Sequence, residues 1–252
     1  MKIEKLKFCH LKISNTSFEE LIYYTGDCIK EKKHIFIVPL TLRLFIKSIF
    51  SKSLRNNINN IDILIPINMF LFFLIKLWEK NYRLKYSDVK DLISALIIRY
   101  NSNNTGYVFI GSSLNGLSFI VKNLKMSFKN INILGLYPEE LFVHKRDDVN
   151  RVLKKIEPDI VFVDYKEEDV IGWVLSSKDY LKKSVIILCE KKLKIMAGEI
   201  SDVPYKFKKR NLEYFYKFIN NPLHVFDIII FILVFIYFLG HLLKKTFKKG
   251  KK

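Results

Sequence analysis

The sequence has few residues of the kinds that build disulfide frameworks or metal sites. Its 252 residues include 3 cysteines and 5 histidines. The cysteines are Cys9, Cys28 and Cys189, an odd number with no CxxC spacing, so we expect a reducing compartment. No histidine has a Cys, Asp or Glu partner at metal-ligand spacing, so we expect no metal. The first residues, MKIEKLKFCHLKIS, contain no apolar run, so we expect no signal peptide.

Acidic residues are also in short supply. The chain has 25 Asp and Glu against 43 Lys and Arg, a formal net charge of +18. Half of this excess lies between residues 206 and 252, where 11 basic residues face 2 acidic ones. Such a patch attracts polyanions, either nucleic acid or anionic lipid headgroups. We expect lipid rather than nucleic acid, because the basic residues border an apolar segment and no aromatic–basic recognition motif accompanies them.

The periodicity of apolar residues and the distribution of charge divide the chain into three parts. These are an N-terminal α/β part at 1–104, a Rossmann-like βαβ part at 105–205 and a basic C-terminal segment at 206–252. The first part opens with a strand-like segment, after which Ser17 and Glu20 have the spacing of a capping box. Its further elements are predicted, in chain order, as strands at 34–40 and 61–65, a buried helix at 69–78, and a helix at 87–100 capped by Ser87.

Continuous apolar runs alternate with amphipathic stretches in the second part. The predicted elements are strands at 107–111, 131–135, 159–164 and 184–189, with helices near 114–126, 147–156 and 168–181 between them. Strands that are apolar on both faces, in βαβ order, are typical of a parallel sheet flanked by helices. We therefore predict an α/β, Rossmann-like fold, with ligands at the carboxyl ends of the strands, near 111–113, 135–137 and 164–166.

The turn after the first of these strands reads GSSLNG, at 111–116. It begins like a phosphate loop, but Leu117 and Ser118 stand where that loop has Lys and Ser or Thr, and it is not GxGxxG. Two features still suit a phosphate. The turn opens a helix with free N–H groups, and Ser112 and Ser113 carry hydroxyl donors. The turn either contacts a nucleotide phosphate or only joins a strand to a helix.

Several stretches share their order and spacing with one known family. They are EPDIVFV at 157–163, AGEISDVP at 197–204, NLEYFYK at 211–217 and NPLH at 221–224, with IFIVPLTLRLF and YVFIG upstream. Together they resemble the WecG/TagA/CpsF glycosyltransferases, glycosyltransferase family 26. The resemblance implies a Rossmann-like fold and transfer of an amino sugar, typically from UDP-N-acetylmannosamine, to a polyprenyl-diphosphate-linked sugar. It makes a UDP-sugar and a polyprenyl-linked acceptor the expected partners, at the cytoplasmic face of the cell membrane.

The chain departs from the family where the family carries its chemistry. The family's Asp-Gly, the expected position of the general base, falls on Ile67-Asn68, and its Thr-x-Asn falls on 39–41. Neither Ile67 nor Asn68 accepts a proton near neutral pH. The family's glycine-containing loop falls on 164–171, where four carboxylates would repel a diphosphate.

The resemblance and the residues together give two sets of site candidates. The catalytic candidates are Asp62, Asn68 and Thr41. The candidates for nucleotide-sugar binding are Gly111, Ser112, Ser113, Asp164 and Glu213. Asp62, Asp164 and Glu168 are also options for a displaced acid or base, although carboxylates are common at strand ends and helix N-termini for structural reasons alone.

The segment at 225–243, VFDIIIFILVFIYFLGHLL, is almost wholly apolar and is bordered by basic residues. A soluble surface helix of this composition would aggregate, so we expect a C-terminal hydrophobic membrane helix. Its length as a helix, roughly 28 Å, is close to the ~30 Å of a bilayer core. Basic residues on both flanks favour a helix lying at the cytoplasmic face over a single span, which stays open. Anionic lipids are the expected partners.

These patterns predict a diverged, membrane-associated glycosyltransferase of cell-surface glycan synthesis, with weak or absent UDP-sugar binding. The alternative is a catalytically inactive relative that serves as a membrane-tethered scaffold or partner, because most of the family's catalytic residues are missing. Nothing in the sequence indicates a cofactor, and a homo-oligomer is left open.

Overall fold

The computed structural model describes residues 3–84, 91–101, 104–204, 206–207, 216 and 225–249. The strands are β1 (Glu4–Phe8), β2 (Leu11–Asn15), β3 (Ile35–Leu40), β4 (Ile63–Pro66), β5 (Gly106–Gly111), β6 (Asn132–Tyr137), β7 (Ile160–Asp164) and β8 (Val185–Leu188). The helices are α1 (Phe18–Lys30), α2 (Leu42–Phe50), α3 (Lys52–Asn59), α4 (Met69–Trp78), α5 (Leu92–Tyr100), α6 (Leu114–Ser127), α7 (Glu139–His144), α8 (Arg146–Ile156), α9 (Glu167–Ser176), α10 (Lys192–Met196) and α11 (Val225–Lys249). The predicted cap at Ser87 and the candidate ligand Glu213 lie outside the described residues.

A six-stranded sheet in the order β4–β3–β8–β7–β5–β6 forms the centre of the fold, and its pairings are parallel. This confirms the predicted α/β sheet flanked by helices. Strands from both sides of residue 104 pair within it, since β3 lies beside β8; the division of the chain into parts stays a prediction. The first two strands form a separate antiparallel hairpin.

Burial explains why the inner strands are continuous apolar runs. Every residue of β3, β4, β5, β7 and β8 is buried, because helices cover both faces of the sheet. The edge strand β6 is the exception, and its residues are only partly buried or exposed. The sheet interior is therefore the main apolar core.

Local signals placed several helices correctly. The capping box at α1 is present, since the Ser17 hydroxyl accepts from the Glu20 N–H and the Glu20 carboxylate accepts from the Ser17 N–H. The helix at 168–181 was predicted too long, because α9 ends at Ser176. The short helix α7 was missed. It begins after Pro138, and two glutamates in its first turn favour a helix start.

The helix α4 was expected to be buried nearly all round, and this is only partly correct. Leu71 and Leu74 are fully buried, whereas Phe73 and Leu77 are more than half exposed. A further part of its surface contacts α11, where the Phe70 and Phe231 rings lie 4.9 Å apart.

The helix α11 packs against the body of the protein through one side. Phe238 is 1% exposed, and its ring centroid lies 6.0 Å from those of Phe8 and Trp78. The Tyr237 hydroxyl lies 3.0 Å from Nδ1 of His10. Burial, helped by the charges of Arg55 and His241, lowers the pKa of His10 to about 4, so the ring is neutral at pH 7 and its Nδ1 can accept this hydrogen bond.

The structure contradicts the predicted C-terminal membrane helix. Within the part of the chain that the structure describes, no helix has both the length and the apolar character needed to cross a bilayer. The apolar residues of α11 suggested contact with lipid, but apolar residues can equally pack against the rest of the protein. In α11, Val234 and Phe238 are buried against the protein.

We expect Phe238→Ala to lower the free energy of unfolding by about 3–5 kcal/mol, since the truncation leaves a cavity between α11 and the first strand. Ile236 is the matched control, because it lies on the same helix and is 61% exposed. Its replacement by alanine should change the free energy by no more than about 0.5 kcal/mol. Urea unfolding of the full chain measures both, and equal effects would contradict the packing of α11.

Candidate functional site

The order of the strands defines where a ligand crevice opens. The chain leaves β5 towards β6 on one side and leaves β7 towards β8 on the other. Because such crossovers are right-handed, their helices cover opposite faces of the sheet, and the turns after β5 and β7 diverge. Ligands of open α/β sheets bind at this switch in direction, beyond the carboxyl ends of the strands. The candidate site is therefore built on the turns after Gly111 and Asp164.

The turn at Gly111 depends on glycine. Its φ is +114°, and a Cβ atom there would lie 2.2 Å from the carbonyl oxygen of Asp164. Only glycine lets the two strand ends approach this closely. Ser112 follows with φ +62° and is buried, while the Ser113 hydroxyl caps α6 by accepting from the Gly116 N–H at 3.0 Å. The predicted nucleotide-binding residues thus form a tight turn into a helix N-terminus.

This turn already holds an anionic oxygen, which belongs to Glu199. Its Oε1 accepts hydrogen bonds from the Ser112 hydroxyl at 2.8 Å, the Ser113 N–H at 2.9 Å and the Ser113 hydroxyl at 2.5 Å. Burial would raise the pKa of Glu199, but these bonds and the charge of Lys194 outweigh it, so the pKa is lowered. A carboxylate is favoured here because the helix N-terminus carries partial positive charge.

Asp164 is turned towards the chain's own backbone. Its carboxylate accepts hydrogen bonds from the N–H groups of Lys191, Leu193 and Lys194, at 2.7, 2.8 and 3.3 Å. Burial raises its pKa, although these three bonds act in the opposite direction. Asp164 thereby holds the turn between β8 and α10, and a role as nucleotide ligand stays a prediction.

A second group of polar residues lies further along the same edge. The Thr41 hydroxyl, just after β3, accepts from the Leu44 N–H and donates to Oε2 of Glu167, both at 3.0 Å. Burial, with the charges of Glu190 and Glu168, raises the pKa of Glu167 to about 7 against the opposing effects of Thr41 and Lys47. The catalytic candidate Thr41 thus contacts an ionisable side chain, that of Glu167, at this edge.

The structure gives the other two catalytic candidates different positions. Asp62 precedes β4 and accepts from the Phe36 N–H at 2.9 Å, which places it at the amino ends of the strands. Asn68 caps α4 through the Phe70 N–H at 2.9 Å. No group of three or more His, Cys, Asp or Glu suited to a metal ion occurs in the described ranges.

Sequence reasoning missed Glu167 and Glu199. Glu167 was treated only as one of four repelling acids, although its place after a βα turn could have marked it. Glu199 gave no local signal, because its partners Ser112 and Ser113 are more than eighty residues away in the chain.

We expect Glu199→Ala to raise the affinity for UDP about tenfold or more, since the carboxylate competes with phosphate for the same donors. Glu31→Ala, which removes an exposed carboxylate at the end of α1, is the control and should leave the affinity unchanged. Isothermal titration of the full chain with UDP measures both. Equal affinities in the wild type and the Glu199 variant would mean that the carboxylate does not compete.

Comparison with known proteins gives one clear result. A model of the glycosyl transferase WecG/TagA/CpsF family matches residues 6–252, and a comparison with curated proteins gave no match. The match covers nearly the whole chain and confirms the resemblance found in the sequence. The chain therefore belongs to the WecG/TagA/CpsF glycosyltransferase family, whose members are glycosyltransferases of cell-surface glycan synthesis.

Proposed function

We propose that the protein transfers an N-acetylated amino sugar from a UDP-sugar of the UDP-N-acetylmannosamine type to a polyprenyl-diphosphate-linked sugar. The observation that carries this proposal is the turn at Gly111, which binds one anionic oxygen through three donors at the switch in strand direction. A diphosphate presents the same chemistry as the Glu199 carboxylate. Family membership supports a sugar-nucleotide donor and a polyprenyl-linked acceptor, and we propose action on the cytoplasmic side.

Donor binding requires Glu199 to leave the turn. The neighbouring Gly198 has φ +74°, and the space around its Cβ position is open. Displacement costs hydrogen bonds that the donor then replaces. The affinity for the donor is accordingly expected to be low, because part of the binding free energy is used to expel the carboxylate.

The alternative is a catalytically inactive relative that acts as a scaffold or partner of another transferase. Two observations favour it: Ile67 occupies the family's position for the general base, and Glu199 fills the turn. Contact of the basic C-terminal residues with anionic lipids, and assembly into a homo-oligomer, stay predictions.

Transfer and binding assays on the purified full chain distinguish the two functions. UDP-N-acetylmannosamine and UDP-N-acetylglucosamine serve as donors, with a short-chain polyprenyl-diphosphate-linked amino sugar as acceptor. For the transferase we expect turnover with a donor KM of about 1 mM, the weak end of the usual range. Ser113→Ala should raise this KM further, because it removes one donor to the anion. Absence of transfer, together with absence of UDP binding in both the wild type and Glu199→Ala, would favour the scaffold.

A further inference from the structure

The transfer needs a group that accepts a proton from the acceptor hydroxyl. A general base works best when its pKa lies near the working pH. At the position where the family has its base, this chain has Ile67, which cannot accept a proton, followed by Asn68, whose side chain caps α4. If the chain is a transferase, the proton acceptor has to come from another element at the same edge of the sheet.

Glu167 reaches the strand end beside Ile67. The Ile67 N–H donates to the Leu40 carbonyl at 3.3 Å, so Ile67 and Thr41 follow neighbouring strands about 4.8 Å apart. Glu167 begins α9, directly after the turn that follows β7, and its hydrogen bond to Thr41 bridges the end of β8, which lies between β3 and β7. Its Oε2 atom therefore lies 3.0 Å from the hydroxyl of Thr41, which follows the strand next to the one that Ile67 follows.

Thr41 orients this carboxyl group. The Thr41 oxygen accepts from the Leu44 N–H, which directs the hydroxyl proton towards Oε2 of Glu167. The other carboxylate oxygen, Oε1, makes no hydrogen bond to any residue that the structure describes. Glu167 is a partly exposed residue at the carboxyl edge of the sheet. One oxygen is held and the other is available, which is the arrangement that a positioned base needs.

Two adjacent carboxyl groups in the first turn of α9 have opposite electrostatic environments. Glu168 lies in an ion pair with Lys47. Burial would raise the pKa of Glu168, but the hydrogen bond and charge of Lys47 outweigh it and lower the pKa. Burial is the main reason why the pKa of Glu167 is raised to about 7. Of the groups that face it, Thr41 and Lys47 on α2 oppose this rise, whereas Glu190 after β8 and Glu168 on its own helix add to it. Environments that separate the pKa values of two acids in this way assign them different roles.

We propose that Glu167 is the general base of the transfer, which rests on the transferase function proposed above. Oε1 of Glu167 accepts the proton of the acceptor hydroxyl, while the oxygen of that hydroxyl forms a bond to the anomeric carbon of the donor sugar. The bond between the anomeric carbon and the diphosphate oxygen breaks, and UDP leaves with the electron pair. Glu167 then releases the proton to solvent, which completes the cycle.

The test compares the wild type with Glu167→Gln, Glu167→Asp and the control Glu31→Gln, all as full chains with the donors and acceptor named above. Glu31 is an exposed acid at the end of α1, just before the amino end of β3 and so away from the carboxyl ends of the sheet strands, and its replacement should leave transfer unchanged. Glu167→Gln should lower kcat about 10²–10⁴-fold with little change in the donor KM. Glu167→Asp should restore part of this loss, because it returns a carboxylate at a shorter reach.

The dependence of transfer on pH separates catalysis from structure. In the wild type, kcat should fall as the pH falls through about 7, since the base becomes protonated, and the residual activity of Glu167→Gln should lack this limb. A carboxyl whose pKa is raised on folding contributes stability below its unfolded pKa, and this contribution is lost as the pH rises through about 7. At pH 8 Glu167→Gln should therefore unfold at the same or a higher temperature than the wild type.

The outcomes of these assays distinguish a catalytic role of Glu167 from a structural one and from the absence of transferase function. Transfer by Glu167→Gln within about threefold of the wild type, or with the same pH limb, overturns the role of Glu167 and leaves the transferase function intact. A wild type that neither binds UDP nor transfers sugar overturns both. Loss of kcat in Glu167→Gln together with a fall in its unfolding temperature at pH 8 assigns a structural role instead.

Discussion

The close approach of Gly111 to the main chain of Asp164 is the contact on which the candidate site depends. The two residues end neighbouring parallel strands, and a Cβ atom at Gly111 would lie 2.2 Å from the Asp164 carbonyl oxygen. With glycine in place, the turns after β5 and β7 start from adjacent points and then separate to opposite faces of the sheet. Ser112 and Ser113 lie on one side of this divergence, and Glu167 lies on the other.

The charge of the site is the reverse of the charge of the chain. The protein carries a formal net charge of +18, yet the carboxyl edge is lined by Asp164, Glu167 and Glu199. The backbone and hydroxyl donors of the turns stabilise these acids, and lysines such as Lys47 and Lys194 pair with neighbouring glutamates. If the chain is the proposed transferase, its anionic donor meets a site whose positive partial charges are already engaged, so we expect competition with Glu199 to govern the affinity.

The fold was largely predictable from the sequence, because its signals are local. Continuous apolar runs marked β3, β5, β7 and β8, and Ser17 marked the start of α1. The predictions failed where a local pattern has two physical meanings. The apolar residues of α11 suggested lipid, yet Val234 and Phe238 are buried against the protein. The site was less predictable for a related reason, since Thr41 and Glu167 are 126 residues apart and no local pattern joins them.

In a parallel sheet, a catalytic group can come from a different turn at the same edge while the fold stays the same. The carboxyl ends of the strands open onto one edge, so side chains from different turns can reach the same point in space. The family resemblance puts the general base in the turn after β4, where this chain carries Ile67. Glu167, at the start of α9, reaches Thr41 and brings a carboxyl group to the end of the neighbouring strand β3 without any change in strand order. Because the reaction requires a proton acceptor at a position in space and not at a sequence number, Ile67 favours the scaffold only as long as Glu167 does not take over the role of the base.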